Sequence, residues 1–142
     1  MGRSKLVVGA LVLENGENLT QKISSMFATE RLIGHFSEEN QAEYRAVLSH
    51  KNVQTIFRDR SIMQTVSSFF GNGLNISKTS EKTYMHRNTL NYRIDKIEKF
   101  LGLNLKLFDH AVLFRNMLIV FKIVFADELT LIRRKKNQKV EK

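Results

Sequence analysis

The sequence predicts a mainly α fold, and three observations carry that prediction. No proline and only seven glycines interrupt its 142 residues, so few positions forbid a helix. Leu90, Ile94, Ile97 and Leu101 recur at steps of four, three and four, which is one face of an α-helix. From Ala111 to Ala126 nearly every position is apolar, broken only by Arg115, Asn116 and Lys122. The expected architecture is a three-helix core with additional N-terminal helices and a long apolar C-terminal helix. A short N-terminal strand is one reading of the first residues.

That strand reading rests on Leu6 to Leu13, a β-branched-rich run ending at the turn dipeptide Asn15-Gly16. The same run also reads as a buried helix, or as the severed end of a larger upstream domain, since one strand makes no sheet alone. On that last reading the chain is a fragment. Leu19, Ile23, Met26 and Phe27 share a helical face, with Asn18 or Thr20 as its cap. Leu32, Ile33 and Phe36 form a second short pattern. Ser37 then caps a helix that carries Glu38 and Glu39 in its first turn and runs through Tyr44, Val47 and Leu48 to about His50. These elements read as packing.

Ser61-Ile62-Met63-Gln64 fits a capping box, with Ile62, Val66, Phe69 and Phe70 as the stripe behind it, and Gly71-Asn72-Gly73 stops that helix. Asn75 or Ser77 caps a short polar helix, Thr83 to Met85 makes a tight turn, and a longer helix opens at His86. Helix, turn, helix, turn, helix within about forty residues is the core expected around a helix-turn-helix. Past Gly102, Asp109 is the expected cap of the apolar helix. A helix apolar all round is buried on several sides. A partner chain supplies one covering and a groove between the N-terminal helices and the motif another. The boundaries expected are 1–58 for the N-terminal helical segment, 59–128 for the helix-turn-helix domain and 129–142 for a basic tail.

Lys and Arg total 23 against 14 Asp and Glu, a net charge of +9 that favours polyanion partners. Residues Arg133 to Lys142 hold six Lys or Arg and one Glu, so +5 of that charge sits in the tail and divides between a solvated end and a binding surface. There is no cysteine, which excludes disulfides, thiolate metal sites and a thiol nucleophile. The Leu6 to Leu13 run falls short of the roughly 20 residues that span a bilayer, and no cleavage pattern follows it. A cytoplasmic protein without membrane partners is expected. No nucleophile–base spacing, phosphate loop or carboxylate pair supports catalysis, and the four histidines are scattered without ligand spacing. A non-enzyme without metal or cofactor is expected.

The segment Thr65 to Ala126 resembles the C-terminal helix-turn-helix of the PucR/CdaR family of bacterial transcription regulators. Met85-His86-Arg87-Asn88-Thr89-Leu90-Asn91-Tyr92-Arg93-Ile94 is similar to that family's H-R-N-T-L-x-Y-R-[LI] signature. Lys96-Ile97-Glu98 and Gly102-Leu103 follow in the expected places, and Asp59 and Thr65 stand where the family has Asp and Thr. Two positions depart: Ser80 replaces the usual Ala and Thr83 the usual Leu, both of which pack against the second helix of the motif. Polar groups there are expected to loosen that contact by about a kcal/mol if they stay buried. The resemblance implies a DNA-binding regulator related to Fis-type proteins, which bind as dimers, with any small-molecule effector acting through an upstream region.

Arg87 is the leading candidate for a base contact, since it lies in the first turn of the recognition helix and Arg to guanine is the commonest specific pairing. Ser77, Asn75 and Thr89 either cap helices or donate to phosphate, roles that coincide at a helix N-terminus. His86 begins the helix, near DNA. Asn88 is ambiguous, with an internal hydrogen bond as the favoured reading and base readout as the alternative. Tyr92 and Arg93 suit the sugar-phosphate wall, with core packing as the alternative for the Tyr92 ring, and Lys78 and Lys96 suit nonspecific phosphate contact. Asp95 and Glu98 repel phosphate, which leaves the side of Arg87 and Asn91, near the N-terminal end, for the groove. The expected function is duplex-DNA binding as a homodimer through His86 to Lys96. The alternative is an interaction module that keeps the helix-turn-helix shape without binding DNA.

Overall fold

Asn18 opens the first helix by accepting from Gln21 N at 2.8 Å, while the Gln21 side chain takes the Asn18 N–H at 3.0 Å. This reciprocal cap satisfies two orphan donors and fixes α1 at Leu19–Phe27. The computed structural model describes residues 18–128 and, at the level of the backbone, two strands before them. The turn dipeptide Asn15-Gly16 and the basic tail lie outside the described residues.

The apolar run near the N-terminus forms β1, Lys5–Val8, and β2, Leu11–Glu14, paired antiparallel with Leu6 opposite Leu13 and Val7 opposite Val12. It is therefore neither a lone strand nor a buried helix. Next come α2 (Thr29–His35), a single 3₁₀ turn at Glu38–Asn40 and α3 (Gln41–Leu48). Ser37 and Asn40 cap that turn reciprocally, so the expected helix start holds with an added 3₁₀ turn ahead of it.

A separate helix, α4 (Lys51–Phe57), follows directly, opened by His50, whose Nδ1 accepts from Asn52 N at 3.0 Å. Burial pushes the His50 imidazole below its ordinary value of 6.5, and the neighbouring Lys51 ammonium pushes the same way. The unfolded chain then binds the proton more readily than the folded one. The contribution of neutral His50 is complete above pH 6.5 and is lost as pH falls through the lowered folded value. Unfolding free energy measured by urea titration is expected to drop as pH is lowered below about 6.5, and His50→Asn, which caps without titrating, should flatten that part of the profile. An unchanged slope in the variant would contradict this role.

Helix α5 (Arg60–Gly71) is capped by Asp59, whose Oδ1 accepts from Ile62 N at 3.1 Å. The expected capping box at Ser61 is thus displaced by two residues, because a carboxylate at the true N-cap takes the donor. Asn75 caps α6 (Ile76–Thr83) through Lys78 N at 2.8 Å, settling the choice against Ser77. Helix α7 (Arg87–Leu101) ends at Gly102 in the left-handed region. The last helix, α8 (Phe108–Val124), has Leu107 at its N-cap with no side-chain bond; Asp109 lies inside its first turn rather than at the cap.

One core runs through these helices, from Ile23 and Phe27 through Tyr44, Ile56, Phe69 and Ile94 to Phe114 and Phe121. Helix α8 turns Ala111, Phe114, Met117, Val120, Phe121 and Val124 inward, although its sequence is apolar nearly all round. Phe114 meets Phe57 of α4 at 5.0 Å and Phe70 of α5 at 6.2 Å between ring centroids. On its other flank Asn116 Nδ2 donates to Phe27 O at 2.8 Å, and Arg45 Nη1 of α3 donates to Val124 O at 2.7 Å. The helix thus lies in a groove between the N-terminal helices and α5, leaving Ile119 and Ile123 about half exposed on its outer side.

Candidate nucleic-acid interface

Helix α7 is held at one end and open at the other. At its C-terminus, Thr20 Oγ1 of α1 donates to Leu101 O at 2.8 Å and Asn52 Nδ2 of α4 donates to Phe100 O at 3.0 Å. These are carbonyls that a helix leaves without internal partners. Leu90, Ile94, Ile97 and Leu101 are all buried, as their spacing predicts. The N-terminal helices therefore seat the motif.

At the open end, His86 is the N-cap of α7, its Nδ1 accepting from Asn88 N at 3.0 Å. Arg87 Nη2 donates to Ser77 Oγ across the turn, which brings the first turns of α6 and α7 side by side. Each helix N-terminus carries about half a positive charge, so two positive ends and the Arg87 guanidinium converge on one exposed corner. Asn75, Ser77, Lys78, His86, Arg87, Asn88 and Thr89 are all exposed there.

The remaining expected residues divide. Tyr92, one turn on, is 67% exposed, so its ring does not pack into the core. Asn88 makes no internal side-chain hydrogen bond among the described residues, contrary to expectation; His86 engages its backbone N–H instead. Asn91 is half-buried, and its Oδ1 has no partner among the described residues. Lys96 is half-buried too, with its ammonium 5.8 Å from the Phe100 ring centre. Arg93, expected on the sugar-phosphate wall, is drawn inward: Nη1 donates to Thr65 Oγ1 at 2.9 Å and approaches Met85 sulfur at 3.7 Å. Thr65 in turn donates to Ser61 O at 2.8 Å, so the buried threonine of α5 and Arg93 of α7 clamp the motif to the preceding helix.

The two departures in α6 are hydrogen-bonded within the motif. Ser80 Oγ donates to Met85 O at 2.6 Å, and Thr83 Oγ1 donates to Thr79 O at 2.7 Å while accepting from Met85 N at 3.3 Å. Their hydroxyls fasten the turn by hydrogen bonds where apolar side chains would do so by packing. Directly after Thr83 stands Tyr84, at φ +57° and 96% exposed. A bulky residue in the left-handed region costs roughly 1 kcal/mol. Sequence reading passed over it; the signal available was a large aromatic at the centre of a polar turn.

Residues 62–120 match the family model described as the PucR C-terminal helix-turn-helix domain. The Purine catabolism regulatory protein of Bacillus subtilis (strain 168) is 42% identical over 48 residues, covering 34% of this chain and 9% of that protein. The protein YxkF of the same organism, described as uncharacterized, is 32% identical over 76 residues, 53% of this chain and 26% of that one. The chain thus spans about a quarter or less of the length of these relatives. No solved structure matches it. Among the described residues no helix is long and apolar enough to cross a membrane. Residues 62–120 of the chain are thus similar to the PucR C-terminal helix-turn-helix domain.

Proposed function

We propose that the chain binds duplex DNA as a transcription regulator, docking the first turns of α7 in the major groove. The observation that carries this reading is the convergence of two helix N-termini and the Arg87 guanidinium on one exposed corner. Phosphate oxygens meet the backbone N–H groups and Lys78 at the start of α6. Arg87, Asn88 and Thr89 face the base edges, and Tyr92 reaches the groove wall one turn later. Asn91 follows Arg87 by one turn of α7, half-buried and with its Oδ1 shielded from solvent, so it meets DNA only at the groove margin through its exposed atoms. His86 fixes the start of the helix, and Arg93 holds its register against α5. Lys96 lies towards the anchored end and adds charge at longer range.

A homodimer places two such corners on one face of DNA. The half-exposed Ile119 and Ile123 on the outer side of α8 supply an apolar strip for pairing. The name of the B. subtilis purine catabolism regulator supports a regulatory role. The hydrogen bonds of Ser80 and Thr83 support an intact motif over one that keeps the shape without binding DNA.

Selection from a random duplex pool tests the proposal. It should return two half-sites about one helical turn apart, roughly 34–36 Å centre to centre. Binding to the selected site should weaken steeply between 50 and 200 mM salt. A pool that yields no consensus after repeated rounds would remove base reading from the proposal.

A further inference from the structure

The groove between α5 and α8 belongs to no part of the DNA-binding corner. It comprises two adjoining hollows of about 450 and 440 Å³ that share Phe70 and Arg115. Met63, Val66, Phe70 and Leu74 supply one wall, and Phe108 and Val112 the other. Arg115 and Lys122 stand along the α8 side, and no carboxylate lines either hollow. Among the described residues neither cation has an ion-pair partner.

From Phe108 to Lys122 the groove follows α8 for about 21 Å, roughly four helical turns. Phe108 is 73% exposed, so the trough lies open to solvent. An open trough encloses a small molecule poorly, whereas tight small-ligand sites bury most of the ligand. An apolar trough four turns long suits an amphipathic helix laid along it. Arg115 and Lys122 are seven residues apart on one helix, about 10 Å along its axis. That spacing matches two carboxylates at positions i and i+7 of the incoming helix.

We infer that the α5–α8 groove docks an acidic amphipathic helix of a partner protein, gripped by Arg115 and Lys122. Charge selects this occupant over the others. A second copy of this chain, itself at +9, would bring like charge to the rim, and the segment Arg133 to Lys142 carries +5. An acidic helix gains from both cations and still buries its apolar face.

The test is selection of surface-displayed 18-residue amphipathic helices on the full chain, with counter-selection on the Arg115→Glu, Lys122→Glu double variant. The substituted side chains are exposed, so the variant should fold, which circular dichroism and urea titration check. Recovered helices should carry Asp or Glu seven residues apart and bind the double variant at least tenfold more weakly. Replacing their two carboxylates by amides should cost a similar factor on the unchanged protein. Helices recovered without acidic pairs, or no enrichment at all, would overturn the inference. So would a chain that still self-associates in sedimentation after Ile119→Ser and Ile123→Ser and becomes monomeric only when Arg115→Glu and Lys122→Glu are added, because a second copy would then fill the groove. Loss of DNA binding plays no part in these outcomes, so failure of the docking inference and of the DNA-binding reading are separable.

Discussion

Replacing Gly102 by alanine should lower the unfolding free energy by about 3 kcal/mol or more, measured by urea titration. Gly102 ends α7 at φ +73°, a conformation that costs an L side chain roughly 1 kcal/mol. The added Cβ would also fall on Thr20 Oγ1 and within 2.8 Å of Thr20 Cγ2. Thr20 cannot yield freely, because the same Oγ1 donates to Leu101 O at 2.8 Å and joins α1 to the end of α7. Moving it forfeits a hydrogen bond worth about 1 kcal/mol and shifts the start of α1 off the core. Adding Thr20→Ala should recover part of the loss, since the nearest remaining atom, Thr20 Cβ, lies 3.0 Å from the new methyl. A cost below 1 kcal/mol for the single change would contradict this close approach.

Phe114→Ala should be the other costly substitution, at about 3–5 kcal/mol. Phe114 is fully buried between Phe57 and Phe70, so its loss leaves a cavity that three helices border. Domains of this kind have 5–15 kcal/mol in total, so the variant should unfold far earlier in denaturant and lose DNA binding indirectly. Phe114→Leu, which refills most of the volume, should cost under about 2 kcal/mol and keep binding. Equal losses for the two substitutions would argue against a cavity as the cause.

What could be read from sequence was what depends on local periodicity and local caps. The keel of α7 was visible because Leu90, Ile94, Ile97 and Leu101 repeat with the helix, and Asn18, Ser37 and Asn75 were visible as caps because their bonds reach only three residues. The short α4 escaped notice because its seven residues show little period and its cap is a histidine. The inward face of α8 was hidden for the opposite reason: an almost uniformly apolar helix gives no phase, and its neighbours decide which side is buried. Arg93 looked like every other cation on a surface helix. Its inward turn depends on Thr65, 28 residues away, and long-range pairs leave no mark in a single sequence. The exposed corner at Arg87 was legible, but its link to Ser77 needed the turn between them.

The account stands most directly on the role of Arg87, because its side chain joins α6 to α7 at the proposed groove-facing corner. The deciding measurement compares Arg87→Ala with the unchanged chain by fluorescence anisotropy, on the selected duplex and on random duplex of equal length. A base-reading arginine carries about 1–3 kcal/mol of discrimination, so affinity for the selected site should fall roughly 5- to 150-fold. Binding to random DNA should fall only a few-fold, through the loss of one positive charge. Equal losses on the two duplexes would reduce Arg87 to a phosphate contact, and no loss on either would contradict the assignment of this corner to DNA.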